Sequence, residues 1–421
     1  MLEGYKDYKE TNYDWLPQIP SHWKWVYLSQ SCKEQKIKNN ENKISQVLSL
    51  SYGNIIRKKD INSGLVPKEY SGYQIVNKGN IILRLTDLQN DHTSLRTGLV
   101  KEEGIITSAY TCLKPEENSA YLQYLLHSYD TLKVFYGMGG GVRQSIGFKE
   151  ICNMNVPIPP RSEQDQIVRY LDWKISMIIK YIDAKKKQIE LLKEQKRTLI
   201  NRAITKGIDS YVSLKDSGID WLGKIPKHWE VRKLRTLLLI KSGNALTNIQ
   251  ISDNDKYPVF GGGKQIGFYK NYNVDARNLI IGRVGANCGY VTNIYYNSWA
   301  TDNALIVTPK INKEYLFYLL YNADLNKLNH ANAQPLITGT QVLSTGVIYT
   351  SQINEQKEIV TFLDEKCKTI NEIIIQTYNE IDLLQEYQTR LISDVVTGKV
   401  NVQGDEVGEF IHKNDCLSDF K

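Results

Sequence analysis

Residues 14–28 read DWLPQIPSHWKWVYL, and the phrase returns at residues 220–234 as DWLGKIPKHWEVRKL. Eight of the fifteen positions are identical: Asp14/Asp220, Trp15/Trp221, Leu16/Leu222, Ile19/Ile225, Pro20/Pro226, His22/His228, Trp23/Trp229 and Leu28/Leu234. Two further pairs follow in the same order. YLQYLL at 121–126 answers YLFYLL at 315–320, and EQDQIVRYLD at 163–172 answers EQKEIVTFLD at 355–364. The chain is therefore written twice, and the repeat has to be read before any single element. The offset falls from 206 to 194 to 192, so the first copy is longer inside its opening block. Residues 29–120 and 235–314 share almost nothing. A repeated frame around two unlike interiors predicts two modules doing one kind of work on two targets; drift within a structural duplication is the alternative.

The stretches after Glu163 and Glu355 contain no proline, and no glycine before Gly207 and Gly398. Steps of four and three select Leu171, Ile175, Ile178, Ile182, Lys185, Ile189, Leu192, Lys196, Leu199 and Ala203 in the first. In the second they select Leu363, Cys367, Ile370, Ile374, Thr377, Ile381, Leu384, Gln388, Leu391 and Val395. Eight of ten positions are apolar in each, which predicts two coiled-coil helices. Ser162 and Asn354 are expected as N-caps. The polar exceptions, Lys185 with Thr377 and Lys196 with Gln388, fall at equivalent places, where polar seam residues fix register. Each helix of this length would run about 66 Å. The interiors read as mixed α/β, with strands near 46–50, 81–85, 105–113, 278–282 and 304–308 and a short buried helix at each YLxYLL.

The 421 residues carry a net charge of +7, with 41% hydrophobic and 24% charged positions. That composition suits two or three folded domains, and no apolar run approaches the roughly 20 residues of a membrane span. The first residues lack the apolar core of a secretory signal, so a cytoplasmic protein is expected. The charge divides as +6 over residues 24–161, +5 over 162–206, +5 over 230–353 and −4 over 354–399. Two basic modules thus precede helices of opposite sign, and the natural partner of each helix is the other. Six cysteines (Cys32, Cys112, Cys152, Cys288, Cys367 and Cys416) form no CxxC pair, which points to free thiols rather than zinc or disulfides.

Catalytic motifs are missing. The nearest approach to a phosphate-binding loop, GGGKQ at 261–265, has Gln where a hydroxyl should stand, and no HExxH, GxSxG or Pro-Asp occurs. The glycine clusters have another reading. GMGGGVRQS at 137–145 places Gly140 and Gly141 near Arg143 and Gln144, and FGGGKQIG at 260–267 places Gly262 and Gly263 beside Lys264 and Gln265. Glycine lets backbone approach a phosphate, and Arg, Lys and Gln read guanine and adenine edges. Arg57, Lys58 and Lys59 of IIRKKD, Arg84, and Arg283 and Asn287 of IIGRVGANCG complete the candidate DNA contacts. Tight turns also account for the glycines, and a solvated face for Lys58 and Lys59. His22 and His228, each beside a tryptophan, read as packed structural histidines.

IPSHW and IPKHW opening the modules, VPIPPRSEQ at 156–164 and LKEQKRTLINRAITKG at 192–207, with LLQEYQTRLISDVVTGKV at 383–400, together resemble the specificity subunit of type I restriction-modification systems. The second exit, VIYTSQINEQ at 347–356, lacks the prolines of the first. The resemblance implies a mixed α/β chain of two target recognition domains alternating with two long helices that pair as an intramolecular antiparallel coiled coil. It divides the chain into recognition domains at 1–161 and 207–353, spacer helices at 162–206 and 354–399, and an acidic tail at 400–421. It implies that each domain reads one half of a bipartite DNA target, while the helices set the spacer and dock two methyltransferase subunits. S-adenosylmethionine, ATP and Mg would belong to methyltransferase and motor-nuclease subunits, this chain being non-catalytic. The alternative from another class is a coiled-coil scaffold joining two protein-binding domains.

Overall fold

A computed structural model describes residues 3–40, 42–58, 70–88, 95–138, 145–218, 223–329 and 335–403. The chain forms two compact units, residues 1–185 with 379–421, and residues 186–378.

In the first unit a hairpin of Tyr8–Tyr13 and Leu16–Pro20 precedes the module. The strand that opens the module, Lys24–Tyr27, pairs antiparallel with the strand that closes it, Asn155–Ile158. Between them lies a four-stranded antiparallel sheet in the order Cys32–Glu34, Thr111–Pro115, Ile81–Leu83, Thr97–Leu99. Two more antiparallel pairs, Leu48–Ser51 with Asn54–Arg57 and Tyr73–Val76 with Gly104–Thr107, belong to this module alone. Helix Ser119–Thr131 starts at Asn118, whose side chain accepts from the Ala120 and Tyr121 N–H groups, and buries Tyr121, Leu122, Leu125 and Leu126.

The second unit repeats the frame. Leu214–Asp216 pairs with Lys224–Pro226, and the opening strand Glu230–Lys233 pairs with the closing strand Gly346–Tyr349. Its four-stranded sheet runs Leu238–Ser242, Ala304–Pro309, Leu279–Gly282, Val291–Asn293, the order of the first. What differs is the insertion, here a three-stranded sheet of Lys264–Tyr269, Tyr257–Gly261 and Trp299–Ala300. Helix Lys313–Asn322, capped by Asn312, buries the second YLxYLL.

The run expected over 105–113 is two strands, because a turn at Thr107 to Tyr110 separates them (Tyr110 N to Thr107 O, 3.2 Å). The long helices span Arg161–Lys206 and Ile353–Val396. Ser162 and Asn354 lie inside the first turn rather than at the caps. Pro160 has its φ preset by the ring, and its carbonyl takes the Glu163 and Gln164 N–H groups at 2.9 and 3.0 Å. At the other end Gly207 and Gly398 adopt left-handed φ of 77° and 79°, and the second helix stops short of Lys399.

All twenty seam positions are buried or half-buried. In the first unit Lys185 Nζ meets Glu380 Oε2 at 2.6 Å and Gln166 Nε2 donates to the Val402 carbonyl at 2.9 Å. In the second, Lys196 Nζ donates to Asn371 Oδ1 at 2.9 Å and Lys193 Nζ reaches the Tyr378 hydroxyl at 3.5 Å. In each unit one partner's number falls as the other's rises, so the helices run antiparallel.

The repeated tryptophans explain the repeated Glu-Gln. Trp23, fully buried, donates its indole N–H to Glu163 Oε1 at 2.9 Å, while His22 Nε2 bonds Oε2 at 2.8 Å and the Tyr5 hydroxyl donates to Oε1 at 2.6 Å. Trp229 donates to Glu355 Oε1 at 2.9 Å, His228 lies 3.0 Å from Oε2, and the Thr350 hydroxyl takes the third place. The histidines are structural, but His22 is half exposed rather than packed inside. Glu163→Ala would strand the buried indole N–H. We expect a stability loss of about 1–3 kcal/mol in urea unfolding, and a loss of about 1 kcal/mol or less for Thr350→Val, which removes one donor of three.

Candidate nucleic-acid interface

In the second module the two glycine-bearing stretches pack against each other. Tyr257–Gly261 and Lys264–Tyr269 are joined by Gly262 and Gly263, both left-handed (φ 58° and 87°), as a two-residue hairpin turn requires. Gly263 presses on the neighbouring stretch: a Cβ there would lie 3.1 Å from Gly282 N and from Tyr290 O. The turn at 283–289 closes on itself, with Gly289 N to Gly282 O at 2.8 Å and Gly282 N to Tyr290 O at 2.9 Å. Lys264 and Gln265 stand exposed on the hairpin, and Arg283 and Asn287 lie half-buried on the turn it touches. Arg283 is fixed through its backbone, N–H to Asn303 O and carbonyl from Ile337 N, both at 3.0 Å. Its Nε is buried with no hydrogen-bond partner among the described residues, which leaves that donor unspent.

The first module places its candidates differently. Arg57 ends strand Asn54–Arg57 and Lys58 follows it, both exposed. The Arg57 guanidinium holds both oxygens of Glu102, and this pairing keeps the Glu102 carboxyl below the usual carboxylate range and raises Arg57. Glu102 thus neutralises Arg57 and occupies two of its five donors, which weakens its attraction for phosphate. Lys58 is set by its N–H to Val47 O at 3.0 Å. Arg84 is half-buried, directly after strand Ile81–Leu83. Lys59, Gly140, Gly141, Arg143 and Gln144 lie outside the described residues.

Ile81–Leu83 and Leu279–Gly282 are the same strand of the two sheets. Their ladders match Arg84 with Gly282 and Leu85 with Arg283, and the Arg84 N to Arg96 O and Gly282 N to Tyr290 O bonds, both 2.9 Å, stand at the same place, so each module carries an arginine where this strand ends but not at the same position. The sites are otherwise built of unlike parts.

Among the described residues no group of three or more His, Cys, Asp or Glu could hold a metal ion, and no helix is long and apolar enough to cross a membrane. Burial pushes the Cys32 and Cys112 thiols up to about 12, and the described cysteines are all free.

Residues 32–191 and 226–383 each match the family described as the type I restriction modification DNA specificity domain. The chain belongs to this family. The specificity subunit of type I restriction enzyme MjaVIII from Methanocaldococcus jannaschii is 24% identical over 451 aligned positions, covering 94% of this chain and 97% of the relative. The EcoprrI specificity subunit of Escherichia coli is 31% identical over 160 residues, 37% of this chain and 38% of its own. Among solved structures, a chain from a study of complex assembly and conformational transition in the type I R-M system aligns over 91% of this chain and 99% of its own, with TM-score 0.71 at 13% identity. The HsdS subunit of Thermoanaerobacter tengcongensis aligns over 91% and 98%, with TM-score 0.51 at 14% identity. Likeness at these identities is one of fold. As a member of the specificity family with both modules matched, the chain fits sequence recognition and not the scaffold alternative.

Two residues that hold the candidate contacts escaped the sequence reading. Glu102 stands 45 residues after Arg57 in a stretch with no motif, and Arg96, described below, looks like an ordinary surface arginine. Glu102→Gln should free Arg57. In fluorescence-anisotropy titrations against random duplex DNA, affinity should rise and the slope of log K against log salt should steepen by about one. An unchanged slope would show that Arg57 does not meet phosphate.

Proposed function

We propose that the chain is the recognition subunit of a type I restriction-modification complex, in which each module reads one part of a two-part DNA sequence. The observation that carries this reading is one frame used twice around unlike interiors, the same four-stranded sheet order in both modules with different chain inserted into it. The net positive charge of each module supplies the sequence-independent attraction to phosphate, and the few side chains at the strand ends supply discrimination. Lys264 and Arg283 suit guanine or phosphate, and Gln265 and Asn287 suit adenine.

The functional division follows residues 1–161 and 207–353 as recognition domains, 162–206 and 354–399 as spacer helices, and 400–421 as a tail. The paired helices would set the distance between the two parts of the target and dock two methyltransferase subunits. Exposed apolar side chains on the helices support the docking role: Met177, Ile179, Tyr181, Leu383 and Tyr387 in the first unit, and Leu191, Ile373, Ile375 and Tyr378 in the second. Exposed apolar side chains in this number on two helices are suited to a partner surface. The chemistry would reside in the partners, with S-adenosylmethionine on the methyltransferase subunits and ATP with Mg on motor-nuclease subunits, in the cytoplasm of the host.

The test is single-molecule methylation mapping of DNA from cells carrying the methyltransferase subunit with and without this chain. A two-part motif containing N6-methyladenine should appear only with the chain. Absence of any motif, with the methyltransferase subunit shown to bind, would overturn the reading. Once the motif is known, Lys264→Ala or Gln265→Ala should relax one part alone, by about 1–3 kcal/mol of discrimination.

A further inference from the structure

Arg96 is among the largest fully buried side chains of the protein, and it is spent on main-chain carbonyls. Its Nη1 donates to Thr86 O at 2.7 Å and to Arg84 O at 3.1 Å, and its Nη2 donates to Asp87 O at 3.2 Å. The main chain is held as well. Arg96 O accepts from Arg84 N at 2.9 Å, and Arg96 N donates to the Oδ2 of Asp130, a wholly buried carboxylate on the YLxYLL helix, at 2.8 Å. Burying a guanidinium is costly unless most of its donors are satisfied, so an arginine in this position is there for the backbone it binds.

That backbone carries Arg84. Leu83 pairs with Thr97 at the end of the strand ladder, so Arg84 and Arg96 face each other one step beyond it, where the ladder opens into a turn. Asp87 in this turn has a left-handed φ of 58°, a conformation that a non-glycine residue keeps only when its surroundings hold it. Leu85 and Leu88 anchor the same turn in the core, and Ile146 N donates to Leu85 O at 2.9 Å. The second module needs no such device. There the corresponding turn is short and closes through Gly282 and Gly289, and the Asp324 that matches Asp130 binds Arg197 Nη2 instead, at 2.9 Å.

We infer that Arg96 is the positioning residue of the first module: by gripping three carbonyls of residues 84–87 it fixes the direction in which Arg84 meets DNA, as the glycine turn does for Arg283. This rests on the recognition role proposed above.

The experiment uses the full chain co-purified with its methyltransferase subunit and a duplex pool randomised over both parts of the methylation-mapped motif. Bound duplexes are sequenced for wild type, Arg84→Ala, Arg96→Lys and the double variant. Lysine keeps the charge but cannot span three carbonyls. Arg84→Ala and Arg96→Lys should relax the same part of the motif, each by about 5-fold or more, with the other part unchanged. Arg96→Lys should add little in the Arg84→Ala background, a non-additivity that general destabilisation does not produce. Asp130→Asn, which keeps the acceptor but weakens the hold on Arg96, serves if Arg96→Lys does not fold, and should relax the same part to a smaller extent. Equal weakening on all duplexes, relaxation of a part that Arg84→Ala leaves intact, or multiplicative effects would overturn the inference alone. A wild-type chain that selects no sequence would remove the recognition reading and this inference with it.

Discussion

Each long helix begins with a buried or half-buried carboxylate that must be satisfied, and the modules are arranged around that requirement. Glu163 is 3% exposed, and a charge at such a site survives only with several donors around it. The helix N-terminus supplies part of the field, and the tryptophan and histidine of the opening motif supply directed bonds. The third donor shows what is being preserved. In the first unit it is Tyr5; the matching Tyr211 is 95% exposed, and the second unit uses Thr350, whose counterpart is Pro159, which has no hydroxyl to donate. Three donors are present in both copies, and the third comes from a different part of the chain in each.

This lock also gathers helix ends. Gly398 ends the second helix against Trp23, where an added Cβ would lie 3.2 Å from the ring, and Gly207 ends the first against Trp229, at 3.5 Å. Within each unit one indole thus lies between the start of one long helix and the end of the other. The YLxYLL helix adds a second tether, Tyr124 to Asp172 and Tyr318 to Asp364, both at 2.6 Å. Because the opening and closing strands pair directly, any chain inserted between them leaves from and returns to one place. The interior is then free to change without disturbing the helix contacts.

The legible parts of this structure were those written as local pattern. The IPxHW repeat, the heptads and the YLxYLL helices each announce themselves within a few residues, and the seam is buried as its spacing requires. Ser162 and Asn354 are not the N-caps because the carbonyl of Pro160 takes the first N–H groups of the first helix and the carbonyl of Gln352 that of Gln356 in the second. The interiors were legible only as turns and charges. Gly263 reads as a turn glycine, but its contact with Gly282 joins segments that share no motif. Arg57 reads as a free cation until Glu102 is placed against it. Arg84 and Gly282 become equivalent only when the strand order and register are known, since the sequences around them do not align.

That division between frame and interior follows from where the free energy is spent. The frame holds the buried tryptophans, the tyrosines of YLxYLL and the helix seam, so its residues are costly to change and recur in both copies. Recognition needs only a few kcal/mol of difference between bases, which a handful of surface side chains can supply if their backbone is rigid. The two modules reach that rigidity by separate routes, a buried guanidinium gripping carbonyls in the first and glycine backbones in mutual contact in the second. Both devices act on the turn that follows the same central strand. A site built in this way can alter what it reads by changing one turn, while the carboxylate lock and the paired helices keep their geometry.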